Sequence, residues 1–174
     1  MSNSFTIEEN KSLYSAKIKV VGVGGGGGNM INHIIRENPN LDIDLMIANT
    51  DAKALDNSPA HTKIQLGEKK TKGLGAGMRP EVGKEAAQES YEEIKSALET
   101  SDVVFIASGL GGGTGTGAAP VVAQAAKEIG ALTVAVVTMP FSFEGKKRSK
   151  LADIGLSELR KESDSIVIIP NDRL

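Results

Sequence analysis

Twelve of the chain's 20 glycines sit in two short stretches, each directly after an apolar run. The first six are Gly22 and residues 24–28; the second six are Gly109, residues 111–113, Gly115 and Gly117. Glycine loses more conformational freedom on folding than any other residue. A chain that concentrates it twice needs bare main chain at two places where a side chain would obstruct something.

The apolar runs alternate with helical patterns. Residues 16–23 (AKIKVVGV), 43–48, 63–66, 103–107, 132–139 and 166–169 read as strands. Residues 29–38, 81–100, 117–129 and 146–161 read as helices, the first stopped by Pro39, the third closed by Gly130 and the fourth interrupted by Gly155. Several strands are apolar throughout, so both faces of the sheet should be covered. Strand–helix alternation then predicts an α/β fold, a doubly wound, mostly parallel sheet with helices on both faces. Residues 67–80 (GEKKTKGLGAGMRP) form a long polar connection, of the kind that is usually functional or mobile.

The 174 residues suit one domain, and 40% hydrophobic with 24% charged residues is ordinary globular composition. Residues 1–15 are polar and acidic without an apolar run; they read as a flexible arm and not a secretory signal, leaving 16–174 as the domain and the cytoplasm as the expected compartment. No stretch approaches the roughly 20 apolar residues of a membrane span. A net charge of −2 points away from nucleic acid and membrane surfaces as partners. With no cysteine there are no disulfides, thiolate metal sites or thiol catalysis.

Both glycine stretches lie between a strand and a helix. That placement sets unpaired backbone N–H groups and the positive end of a helix dipole at one spot, which suits an anion. In the second stretch Thr114 and Thr116 add hydroxyl donors. Two such loops on neighbouring strands would hold a polyphosphate from both sides. Gly22-x-Gly24-x-x-Gly27, with Asp51 following by 24 residues, also fits a dinucleotide fingerprint, which keeps a nicotinamide-dependent oxidoreductase domain as an alternative. No G-x-x-x-x-G-K-[ST] sequence occurs, so the chain is not a P-loop NTPase.

The run Gly111-Gly112-Gly113-Thr114-Gly115-Thr116-Gly117 resembles the phosphate loop of the tubulin family. Five further blocks resemble its bacterial branch, the FtsZ cell-division GTPases. They are GVGGGGGN from Gly22, Asn49-Thr50-Asp51, GLGAGMRPEVG from Gly73, ALTVAVVTMPFSFEGKKR from Ala131 and IPNDRL from Ile169. Lys53 and Met78-Arg79 depart from the commoner family text.

The resemblance implies GTP or GDP as ligand, with Mg2+ carried through the phosphates and no direct metal ligand. It implies Gly25, Gly26, Gly27, Gly28 and Asn29 on the α- and β-phosphates, with Gly113, Thr114 and Gly115 opposite. Ala76 and Gly77 would sense the γ-phosphate, and Asn49, Thr50 and Asp51 would lie beside it and the magnesium. Glu144 and Arg148 would meet the sugar and base edge, and Asn171 the guanine. Read locally, Glu144 is equally a solvated acid, Arg148 an exposed helix charge and Asp51 a helix cap. His33 and His61 are isolated, without metal-ligand spacing, and read as structural or surface residues. The resemblance further implies a central helix and second domain beyond the last strand, carrying the acids that activate water on a neighbouring subunit's nucleotide. No catalytic residue is then expected in these residues, and little turnover by them alone. The implied partners are further copies in a head-to-tail filament and division-machinery proteins at the mid-cell ring; for these residues alone a dimer is the alternative self-association.

Overall fold

A computed structural model of the chain describes residues 15–171. The arm expected over residues 1–15 lies outside these apart from Ser15, as do Asp172, Arg173 and Leu174 of the final motif. The strands are β1 (Ile18–Val23), β2 (Asp44–Asn49), β3 (Thr62–Gln65), β4 (Val103–Gly109), β5 (Leu132–Met139) and β6 (Ser165–Pro170). The helices are α1 (Gly24–Glu37), α2 (Ala52–Asp56), α3 (Glu68–Thr71), α4 (Pro80–Glu89), α5 (Tyr91–Leu98), α6 (Thr114–Glu128) and α7 (Lys146–Glu162). No helix among the described residues is long and apolar enough to cross a membrane.

The six strands form one all-parallel sheet in the order β3-β2-β1-β4-β5-β6. Strand order reverses between β1 and β4, and a crevice opens beyond the carboxyl ends of strands at such a point. Val23 pairs with Ser108, so the two chains leave the sheet level with each other. The Ser108 hydroxyl donates to the Val23 carbonyl at 3.3 Å and ties the two exits.

Successive strand residues point to opposite faces. Val21, Val23, Met46, Ala48, Val104, Ile106, Ala135 and Val137 join the core under α4, α5, α6 and α7. Val20, Leu45 and Ile47 face the other way, against Ile31, Ile34 and Ile35 of α1 and Leu55 of α2. Coverage of both faces, expected from apolar strands, holds at the sheet centre. It fails on the α1 side of β5 and β6, where Leu132 is 52% and Val167 48% exposed, because α1 spans only β1, β2 and β4.

Three helix boundaries differ from expectation by three residues or more. The glycine run is itself helical, so α1 begins at Gly24 and not at Asn29. Likewise α6 begins at Thr114, before Gly117. The helix expected over residues 81–100 breaks at Ser90, whose hydroxyl donates to the Gln65 carbonyl at 3.3 Å and accepts the Gly67 N–H at 3.0 Å. A serine committed to backbone outside its own helix competes with continuing that helix.

Tyr91 donates its hydroxyl to Glu128, and Lys95 Nζ donates to the same carboxylate at 3.2 Å, which fastens α5 to the end of α6. Burial, then the hydrogen bond to Glu128, pushes the phenol up to about 12 from its ordinary 10. The folded chain therefore holds this proton more tightly than the unfolded one. The stability it contributes is complete below pH 10 and is lost as pH rises towards about 12. A series of denaturant midpoints across that window should fall, and should fall less for Tyr91→Phe.

Candidate functional site

Two helix starts meet at the crevice. The N-cap of α1 is Val23, with no side-chain cap, so the N–H groups of Gly24, Gly25 and Gly26 have no partner within the helix. Those of Gly27 and Gly28 lie far enough along to enter the helical ladder. The N-cap of α6 is Gly113, again without a side-chain cap, and its carbonyl accepts the Gly117 N–H at 3.0 Å. The amides of Gly113, Thr114 and Gly115 thus stand ahead of the ladder.

The two starts touch through main chain. A β-carbon on Gly24 would lie 2.9 Å from the Gly115 nitrogen, and Gly24 also holds a φ of +76°. A β-carbon on Gly26 would lie 3.1 Å from the Gly109 Cα. Two helix dipoles therefore direct their positive ends at one place.

That place is a cavity of about 360 Å³. It brings together Gly25 and Gly26 of α1, Gly113, Thr114 and Gly115 around the start of α6, and Gly77 of the long connection. Glu144, Arg148 and Asn171 line it as well, from the 3-10 turn Ser142–Glu144, from α7 and from the residue after β6. Glu144 is partly engaged, since its Oε2 accepts the Phe141 N–H at 2.6 Å. Gly109 and Gly112 of the second glycine stretch complete the lining with Leu110, Thr138 and Pro140, to which the sequence assigned no role. Thr138 carried a usable signal, being polar at the carboxyl end of a largely apolar strand.

The other expected residues fall elsewhere. Gly28, Asn29 and Asn49 line a second cavity of about 270 Å³, which shares Gly25 with the first. Gly27 is buried against β4, where a β-carbon would overlap the Ala107 carbonyl oxygen. Ala76 is buried beneath Gly113: a β-carbon on Gly113 would come within 3.0 Å of the Ala76 Cβ. Thr50 is fully buried, with its hydroxyl 2.7 Å from that of Thr114. Asp51 caps α2, its Oδ1 accepting the N–H groups of Lys53 and Ala54 at 3.0 and 3.2 Å. Thr116, expected to add a hydroxyl donor to the cradle, is instead buried, with its oxygen accepting the Gly111 N–H at 2.9 Å.

The long connection is built of short turns. After α3, Lys72, Gly73, Gly75 and Gly77 all have positive φ, and Leu74 is 87% exposed between them. The connection is pinned to α2 by the Ala52 N–H donating to the Gly73 carbonyl at 3.1 Å, and to the residue after β2 by the Thr71 hydroxyl donating to the Thr50 carbonyl at 3.4 Å.

This is a doubly wound α/β domain whose switch-point crevice is lined by the amides of two helix starts. Residues 17–174 match the Tubulin/FtsZ family, GTPase domain, and the chain belongs to that family. It is 59% identical over 160 residues to the cell division protein FtsZ of Buchnera aphidicola subsp. Schizaphis graminum, covering 92% of this chain and 41% of that one. Among solved structures it is similar to an empty FtsZ dimer from M. jannaschii, with a TM-score of 0.89 and 50% identity over 97% of this chain and 50% of that one. It also resembles CetZ2 from Haloferax volcanii, a GTPγS-bound protofilament, with a TM-score of 0.81 and 26% identity over 90% of this chain and 49% of that one. The chain thus spans half or less of the length of these relatives. The nicotinamide alternative finds no support: the relatives are FtsZ and CetZ proteins, and the carboxylate its fingerprint needs, Asp51, is capping α2.

Proposed function

We propose that this chain binds GTP and GDP and is the nucleotide-holding part of a self-assembling division GTPase. One observation carries the reading: two uncapped helix starts, in main-chain contact, open on a single cavity of about 360 Å³. In this reading the amides of Gly25, Gly26, Gly113, Thr114 and Gly115 hold the α- and β-phosphates. Gly77, with Ala76 behind it, meets the γ-phosphate. Asn49 and Asp51 lie on the side of α2, where magnesium carried by the phosphates would be. Glu144 and Arg148 take the ribose and base edge, and Asn171 offers the guanine a carboxamide donor and acceptor. Gly27 serves by packing, Thr50 by bonding to Thr114, and Gly28 and Asn29 from the adjoining cavity.

Phosphoryl transfer relies on positioning and on charge stabilisation. Among the described residues lining the cavity Glu144 is the sole carboxylate, and part of it is held by Phe141. The acids that orient the attacking water come, in this reading, from a neighbouring copy stacked head to tail, so these residues alone turn over little GTP. Such an interface does not close and gives an open filament. The GTPγS-bound CetZ2 protofilament supports both the nucleotide and the assembly. The setting is the cytoplasmic ring at the division site, with other division proteins as partners and neither nucleic acid nor membrane bound directly.

The test is the nucleotide that accompanies the purified chain, released by denaturation and identified by chromatography. Guanine nucleotide is expected. Adenine or nicotinamide nucleotide in its place, or none together with no heat on titrating GDP, would overturn the reading. Asn171→Ala should weaken GDP about tenfold, the worth of a lost hydrogen-bond pair, with the melting temperature unmoved.

A further inference from the structure

We infer that Thr116 is a positioning residue through which the seating of α7 sets the shape of the phosphate-binding turn. Its effect on nucleotide rests on the function proposed above; its effect on the turn does not. Thr116 is 3% exposed and does not line the cavity. Its two side-chain branches serve different neighbours. The oxygen accepts the buried N–H of Gly111, the first residue of the three-glycine turn that runs into α6. The methyl faces α7, where a β-carbon on Gly155 would lie 2.6 Å from Thr116 Cγ2. Only a glycine at 155 allows the helices to close this far.

Two further features place the contact at a special point. Pro120 lies inside α6, four residues after Thr116, and has no N–H to give the Thr116 carbonyl. That same carbonyl oxygen is 3.3 Å from where a β-carbon of Gly155 would stand, so α7 approaches at the turn that proline leaves open. Moreover, α7 reaches the glycine turn directly. A β-carbon on Gly111, whose φ is +114°, would lie 3.3 Å from the Arg148 carbonyl oxygen. Gly111 is thus held between the Thr116 oxygen on one side and the first turns of α7 on the other. A shift of α7 along α6 would carry the Gly111 amide with it through Thr116, and would change the spacing of the turn from Arg148.

Four variants of the whole chain separate the two branches. Thr116→Ser keeps the oxygen and removes the methyl; its GDP affinity by calorimetry should stay within about twofold of the native chain. Thr116→Val keeps the shape and removes the acceptor; it should bind GDP about tenfold more weakly, because the buried Gly111 N–H loses its partner. Gly155→Ala should weaken binding several-fold by pressing on Cγ2, and the double variant Gly155→Ala with Thr116→Ser should regain most of the loss. That rescue is a signature that general destabilisation would not give. Amide exchange at Gly111, followed by NMR without nucleotide, supplies a readout independent of the ligand and of Gly155→Ala folding well. It should quicken in Thr116→Val and stay slow in Thr116→Ser. Equal Gly111 exchange in the two would overturn the inference, as would native GDP affinity in Thr116→Val or failure of the rescue. A native chain that ignores GDP, with Gly111 exchange quickened only in Thr116→Val, would overturn the nucleotide reading and leave the positioning role standing.

Discussion

Gly25→Ala is expected to leave the fold as stable as before, or more stable by up to about 1 kcal/mol, while weakening GDP binding by about a hundredfold or more. Glycine in a helix costs about 1 kcal/mol relative to alanine, and Gly25 sits in the first turn of α1. Its φ is not in the left-handed region, and among the described residues a β-carbon there would meet no atom within 4 Å. Nothing among the described residues requires glycine at this position. A methyl group would project into the two cavities that Gly25 borders. If those amides hold phosphate, the methyl displaces it from several charge-assisted hydrogen bonds at once, each worth roughly 1.5–3 kcal/mol. A melting curve and a GDP titration on the same preparation give both halves of the result. A stable variant that still binds GDP as tightly as the native chain would remove Gly25 from the site.

Two residues further on, Gly27→Ala should do the opposite and cost about 3 kcal/mol or more of folding free energy. Here the added carbon would overlap the Ala107 carbonyl oxygen and lie 3.0 Å from the Gly22 carbonyl carbon. Both are backbone atoms of central strands, so relief requires lifting α1 from the sheet. Overpacking costs typically 1–3 kcal/mol even where side chains can adjust, and a domain of this size has only about 5–15 kcal/mol to lose. The midpoint of urea unfolding measures the effect. An unchanged midpoint would show that α1 does not pack on β4 as described.

This contrast marks the boundary of what could be read from the sequence. The order of strands and helices was legible because the apolar runs and glycine stops are strong signals, and so was the meeting of two glycine-rich turns at neighbouring strand ends. The separate duties within each stretch were not. Five successive glycines carry no side-chain pattern, yet a helix turns by about 200° over two residues and sets Gly25 towards the cavity and Gly27 into the core. The same rotation divides Thr114 from Thr116, which look equivalent as neighbouring hydroxyls in GGGTGTG. Thr114 lines the cavity; Thr116 faces α7. The helical start at Gly24 was hidden because glycine is a poor helix former, and tertiary contact overrides that preference here. Ser90 gave no warning either, since its partners Gln65 and Gly67 lie more than 20 residues away.

The abutment of Gly24 on Gly115 has a consequence for how anything leaves the crevice. Its two walls are rooted at the paired ends of neighbouring parallel strands and are in backbone contact where they emerge, which opposes their spreading like a hinge. The remaining side is the long connection, where Gly77 follows a string of left-handed residues that is bonded to α2 at Gly73 and rests on Gly113 through Gly77 and the buried Ala76. In the reading proposed above, unloading requires that side to lift from Gly113, so its pace is open to change at residues that never meet the cargo.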